Sequence, residues 1–187
     1  LELARLLLGA NWQQTHAQAA APEGITLLFP MNDLFERYVA VQLRRALAGS
    51  GLEVVAQGGL RYCLGPWRPG EDCVGDSHAT KPDILIRKGG RVLTVIDTKW
   101  EHLTNGIAQG DVYQMTAYAR LYRCDRLILL YPGLSSDVDS HVHPRALAEG
   151  PERLDAVSIS LDQSEWGLRR ALSELVREVT GNARETI

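Results

Sequence analysis

The stretch Pro82–Trp100, PDILIRKGGRVLTVIDTKW, decides how this chain is read. Two apolar runs rich in β-branched residues flank Gly89-Gly90, the signature of a β-hairpin. Charge interrupts this apolar pattern at one end only. Asp83 opens the first run, and Asp97 and Lys99 close the second. Side chains alternate along a strand, so Asp97 and Lys99 share a face. Charges at the end of an otherwise buried hairpin need a reason, because burying charge is unfavourable unless it is paired or binds metal. Two neighbouring carboxylates form a hard-oxygen site suited to Mg²⁺. A lysine two residues on can offset charge developing on a phosphate and help position water.

Strand register constrains this arrangement. A two-residue turn pairs Lys88 with Arg91 and therefore Asp83 with Ile96, which puts Asp97 on the wrong face. The hairpin is thus expected to contain an odd-length loop or a bulge that shifts the pairing by one residue. A three-residue loop with Gly89 or Gly90 in the left-handed conformation would supply the shift.

Outward from the hairpin, the N-terminal side holds MNDLFERYVAVQLRRALAGSG. Leu34, Tyr38, Val41 and Leu47 recur there at helical spacing, with Asp33 as the expected N-cap and Gly49 or Gly51 as the stop. Leu52–Ala56 reads as a strand. Residues 61–81, rich in Gly, Pro and Asp, read as a long loop. Leu1–Leu8 reads as a short helix, and Asn11–Gly24 as a helix or linker. On the C-terminal side, QGDVYQMTAYARLYRC reads as a helix of about four turns. RLILLYPG is apolar throughout, as expected of a buried strand. AVSISLD alternates as a further strand, and SEWGLRRALSELVREVTG is an amphipathic helix capped by Ser164. The expected class is α/β, a mixed sheet flanked by helices.

Composition narrows the function. The 187 residues, 45% of them hydrophobic, suit one globular domain. No run approaches the roughly 20 apolar residues of a membrane helix. Three cysteines, an odd count, fit a reducing cytoplasm. A net charge of −3 sets the chain apart from proteins that bind nucleic acid by global charge alone, so DNA binding needs a local patch or a partner. Arg37, Arg44, Arg45, Arg61, Arg68 and Lys81 are the candidates, against the plainer reading of scattered solvated charges. Cys63, Cys73 and His78 lack the tight pairing usual at zinc sites, and packed core suits Cys124 better. No Gly-rich phosphate loop is present.

PD, a spacer, then D-x-K resembles the signature of the PD-(D/E)XK nuclease superfamily. More specifically, FPMNDLFERYVA, KPDILI, VIDTKW and GDVYQMTAYARLY, in that order, resemble the C-terminal nuclease domain of McrC, the cleaving subunit of a bacterial restriction system directed at modified-cytosine DNA. The resemblance implies a restriction-endonuclease-like fold and a Mg²⁺-dependent endonuclease, with Mn²⁺ as a substitute metal. It makes Asp83, Asp97 and the backbone carbonyl of Thr98 metal ligands and Lys99 the catalytic lysine. Glu36 matches an acid that some members carry on the first helix, although Glu36 could equally complete a capping box with Asp33. Gln114 and Tyr118 match a helix motif beside the site. Asp111 reads as an N-cap or first-turn acid. The implied partners are double-stranded DNA and a McrB-like GTPase ring, with two copies needed to cut both strands, in the cytoplasm. Residues 1–24 would then lead from an N-terminal region that is missing here, and 25–187 would be the nuclease domain. Three alternatives stay open: a standalone repair-type nuclease, a degenerate fold that only activates a partner, and a metal-dependent hydrolase acting on another phosphate substrate.

Overall fold

The computed structural model describes residues 30–103, 106–133 and 143–181. The helix or linker expected over 1–24 lies outside them. The elements run α1 (Met31–Ala46), β1 (Glu53–Ala56), β2 (Arg61–Leu64), β3 (Ser77–Thr80), β4 (Ile84–Lys88), β5 (Arg91–Thr98), α2 (Gln109–Tyr122), β6 (Arg126–Gly133), β7 (His143–Ala146), β8 (Arg153–Ser160) and α3 (Glu165–Gly181).

Six strands form one mixed sheet in the order β1-β4-β5-β6-β8-β7. β5, β6 and β8 are parallel and the outer pairings are antiparallel. α2 makes the crossover that a parallel β5–β6 pair requires. Alternation sends Ile84, Ile86 and Ile96 into a core with Phe35, Val39 and Leu43 of α1 and Leu168, Leu172 and Val176 of α3. The intervening Leu85 and Val95 enter a second core with Met115, Tyr118 and Tyr122 of α2. The sheet is therefore sandwiched between α1 and α3 on one face and α2 on the other, the mixed α/β architecture that was expected. β6 contributes to both cores, which explains its apolar run over residues 127–131.

Four expectations change in detail. α1 buries Phe35, Val39 and Leu43, whereas Leu34 and Val41 are each 40% exposed. Leu47 and, in part, Tyr38 reach the core as expected, while the facing sheet takes Phe35, Val39 and Leu43 in place of Leu34 and Val41. α1 begins at Met31, which places Asp33 in the first turn, where its charge favours the helix N-terminus, and not at the N-cap. Residues 61–81 are not a continuous loop, since β2 and β3 pair as a separate antiparallel hairpin. Its strands are almost wholly exposed, so they lack the half-buried alternation that marks a strand in sequence. β7 was likewise not expected. At α3, Ser164 Oγ accepts the Gly167 N–H at 3.1 Å, the cap that was expected.

Candidate active site

The β4–β5 hairpin turns through two residues, both with positive φ, at Gly89 (56°) and Gly90 (81°). This is the two-residue turn that glycine permits, not a three-residue loop. Lys88 pairs with Arg91 and Arg87 with Val92, but Ile86 pairs with Thr94. Leu93 is the extra residue of a β-bulge, and the pairing continues shifted by one, with Leu85 on Val95 and Ile84 on Ile96. Carried one step further, this register sets Asp83 opposite Asp97. Both share the face of Leu85 and Val95, towards α2.

Asp83 is fixed from two sides. Its Oδ2 accepts the Thr98 backbone N–H and the Thr98 hydroxyl, both at 2.8 Å, and its carbonyl accepts the Gln57 N–H at 2.7 Å. Asp97 is 3% exposed. Burial and then the charge of Asp83 push its pKa up to about 6, against the opposing pull of Lys99. A buried carboxylate beside a second negative charge is disfavoured in its ionised form, which is the electrostatic setting that a cation relieves.

Lys99 Nζ lies 2.9 Å from Asp97 Oδ2 and 2.8 Å from Asp111 Oδ1, and it donates to Gln114 Oε1 at 3.2 Å. Burial works to lower its pKa, but the hydrogen bonds to Asp111 and Asp97 outweigh it and hold the ammonium above the ordinary lysine value. Gln114 Nε2 donates to the Tyr118 hydroxyl at 2.9 Å. Burial lifts the Tyr118 phenol to about 12. The one-turn spacing of Gln114 and Tyr118 on α2 thus points both at the hairpin end.

Glu36 approaches from α1, 8% exposed. Its Oε2 accepts from Gln57 Nε2 at 3.1 Å, while Oε1 is buried with no hydrogen-bond partner among the described residues. Burial raises its pKa, and the charge of Asp83 adds to the rise against the Gln57 hydrogen bond. With Asp33 inside the helix, a capping box does not account for Glu36.

The six candidate side chains Asp83, Asp97, Lys99, Glu36, Gln114 and Tyr118 therefore meet around the ends of β4 and β5. Thr98 is there too, tied to Asp83 by its N–H and hydroxyl. Three further residues take part that the sequence pattern does not assign to this site. Gln57 bridges Glu36, the Asp83 backbone and, at 3.5 Å, Lys81 Nζ. Asp111, expected only as a first-turn acid, pairs with Lys99. Tyr131 is 1% exposed with an unpartnered hydroxyl, and burial followed by the charge of Asp111 lifts it to about 12. The polar Gln57 directly after a β-branched strand was a legible signal, whereas the meeting of Asp111 with Lys99 needs the crossover geometry.

The donor chemistry fits a hard divalent cation. Asp83 and Asp97 are two carboxylates in mutual electrostatic contact, and Glu36 adds an unsatisfied buried oxygen. No group of three or more His, Cys, Asp or Glu side chains is arranged to hold a metal among the described residues. A pair of carboxylates is a donor set that Mg²⁺ commonly takes, its other positions being filled by water. Cys63 and Cys73 are free and exposed on the β2–β3 hairpin, and Cys124 is buried core. On and beside this hairpin, Arg61 lies over the Tyr122 ring at 5.7 Å, Arg68 pairs with Glu71 at 3.5 Å and Lys81 contacts Gln57.

The family model described as "McrBC 5-methylcytosine restriction system component" matches residues 1–132. No curated protein matches the chain. Among solved structures, the chain is similar to one in the refined half-complex from a tetradecameric assembly of Thermococcus gammatolerans McrB AAA+ hexamers with bound McrC. The TM-score is 0.57 at 20% identity, over 80% of this chain and 33% of that one. That likeness shows a shared fold, and this chain spans about a third of the other's length. With well over half its length matched by the family model, the chain belongs to the McrBC family of 5-methylcytosine restriction system components.

Proposed function

We propose that this chain is the metal-dependent endonuclease domain of a modified-cytosine restriction system, hydrolysing DNA phosphodiesters in the cytoplasm in concert with a McrB-like GTPase ring. The observation that carries this reading is the meeting of Asp83, Asp97 and Lys99 on the α2 face of the sheet, produced by the Leu93 bulge. Asp83 and Asp97, with the Thr98 carbonyl, would hold Mg²⁺ or Mn²⁺. Such a cation, when bound, supplies Lewis acidity towards the phosphate and lowers the pKa of its water.

The chain's own residues account for the remainder. Thr98 clamps Asp83 through its N–H and hydroxyl, fixing where that carboxylate points. Lys99 presents a permanently charged ammonium to offset negative charge developing on the phosphate and to position the attacking water. Gln114, locked by Tyr118, steadies Lys99. Glu36 Oε1 is available to hold a water on the Asp83 side of the site. A chain of net charge −3 fits a nuclease whose DNA is delivered by a partner. Cutting both strands calls for two such sites, hence a pair of chains.

The test is cleavage of 5-methylcytosine-containing and unmodified DNA, with Mg²⁺, in the presence and absence of a McrB-like ring and GTP. Cleavage of modified DNA with the ring, abolished by Asp97→Ala while stimulation of the ring's GTPase persists, is the expected outcome. Cleavage without any ring would favour a standalone nuclease. Ring stimulation with no cleavage by the native chain would leave only an activating scaffold.

A further inference from the structure

We propose that Asp111 is a positioning residue that keeps the Lys99 ammonium aimed at the reacting centre when Asp97 is engaged by a cation; this rests on the nuclease reading above. An ammonium has three N–H donors. Lys99 has three acceptors around it: Asp97 Oδ2 at 2.9 Å, Asp111 Oδ1 at 2.8 Å and Gln114 Oε1 at 3.2 Å. The first of these also belongs to the candidate cation site. A carboxylate drawn onto a divalent cation is a weaker partner for a lysine, so on loading Lys99 loses part of one anchor. The other two both stand on α2, on its first and second turns, and neither is needed by the cation.

The plainer role for Asp111, stabilising the start of α2, does not explain where its carboxylate goes. α2 begins at an extended Ala108 with no side-chain cap. The Asp111 side chain does not fold back to fill that role, since its Oδ1 meets Lys99, the residue directly after β5. The Gln114 amide is oriented by its bond to Tyr118, which leaves Oε1 facing the ammonium. Charge and geometry thus converge from α2 onto one group. A lysine freed from Asp111 would fall back on Asp97 and compete with the cation for that carboxylate.

The experiment uses the full chain labelled with ¹⁵N-lysine, with the Lys99 ammonium resonance assigned by its loss in Lys99→Met. Ammonium protons exchange too fast to observe unless several hydrogen bonds hold them, so the resonance reports the clamp without any need for activity. Asp111→Asn is expected to broaden or abolish that resonance in the presence of Mg²⁺. With the ring partner, it should lower kcat on modified DNA by about tenfold to a hundredfold, the scale of a small misplacement of a catalytic group, with KM within twofold. Should Asp111→Asn not fold, Asp111→Ser, suited to a helix start, takes its place. An unchanged Lys99 resonance, or an unchanged kcat, in a folded Asp111 variant would overturn the proposal. A native chain that cleaves no DNA, yet whose Lys99 resonance still depends on Asp111, would count against the nuclease reading and leave the clamp standing.

Discussion

Asp97 carries an electrostatic burden of its own. Its carboxyl titrates near 6 in the folded chain, above the ordinary aspartate value, because burial and Asp83 disfavour the charge. The sign follows from linkage. A raised carboxyl pKa means that the folded state binds the proton more readily, so this contribution to stability is complete below the ordinary aspartate range, about pH 4. It is lost as pH rises through about 6. Asp97→Asn keeps the shape and removes the charge, while Lys99 retains Asp111 and Gln114. In metal-free buffer at pH 8 the variant should melt several degrees above the native chain, at about 2–4 °C per kcal/mol for a chain of this size, and the gap should close near pH 4. Adding Mg²⁺ should raise the melting temperature of the native chain only. A variant less stable than the native chain at pH 8 without metal would contradict this assignment. The three central residues are legible in the sequence because the hairpin is local: alternation and one register argument bring Asp83, Asp97 and Lys99 together. Asp111 and Tyr131 are not legible as site residues, because α2 and β6 reach the site only after the crossover is made.

At the scale of elements, the bulge at Leu93 sets the site. The expectation of a shifted register holds, but the shift is placed in β5 and not in the turn. Deleting Leu93 removes the extra residue and lets a regular hairpin pair Asp83 with the same aspartate. The deletion variant is therefore expected to keep its Mg²⁺-dependent rise in melting temperature, with some loss of stability from altered packing. Loss of that rise in a folded deletion variant would show that the bulge does more than set register. The β2–β3 hairpin gave no comparable signal. Its base is fastened by long-range contacts that sequence patterns do not report: the Tyr122 hydroxyl donates to the Thr80 carbonyl at 3.2 Å, and Arg61 lies over the same ring. Gly59 adjoins that base at φ 76°, a backbone conformation that favours glycine. α1 is a helix as expected, and of its expected apolar series Tyr38 and Leu47 meet the core while Leu34 and Val41 face outward, since only the sheet it covers chooses among its apolar residues.

For the whole molecule, the three-layer fold brings α1 and α2, from opposite faces of the sheet, to the same strand ends. Glu36 comes from one layer, Lys99's partners Asp111 and Gln114 from the other, and the two aspartates from the sheet between them. No described helix is long and apolar enough to cross a membrane. The claim on which the functional reading depends is that Asp83 and Asp97 jointly bind one divalent cation, and calorimetric titration of Mn²⁺ into the native chain, Asp83→Asn and Asp97→Asn tests it most directly. Binding by the native chain that disappears in both variants, each still folded, is the expected result; binding of undiminished affinity in either variant would contradict the account.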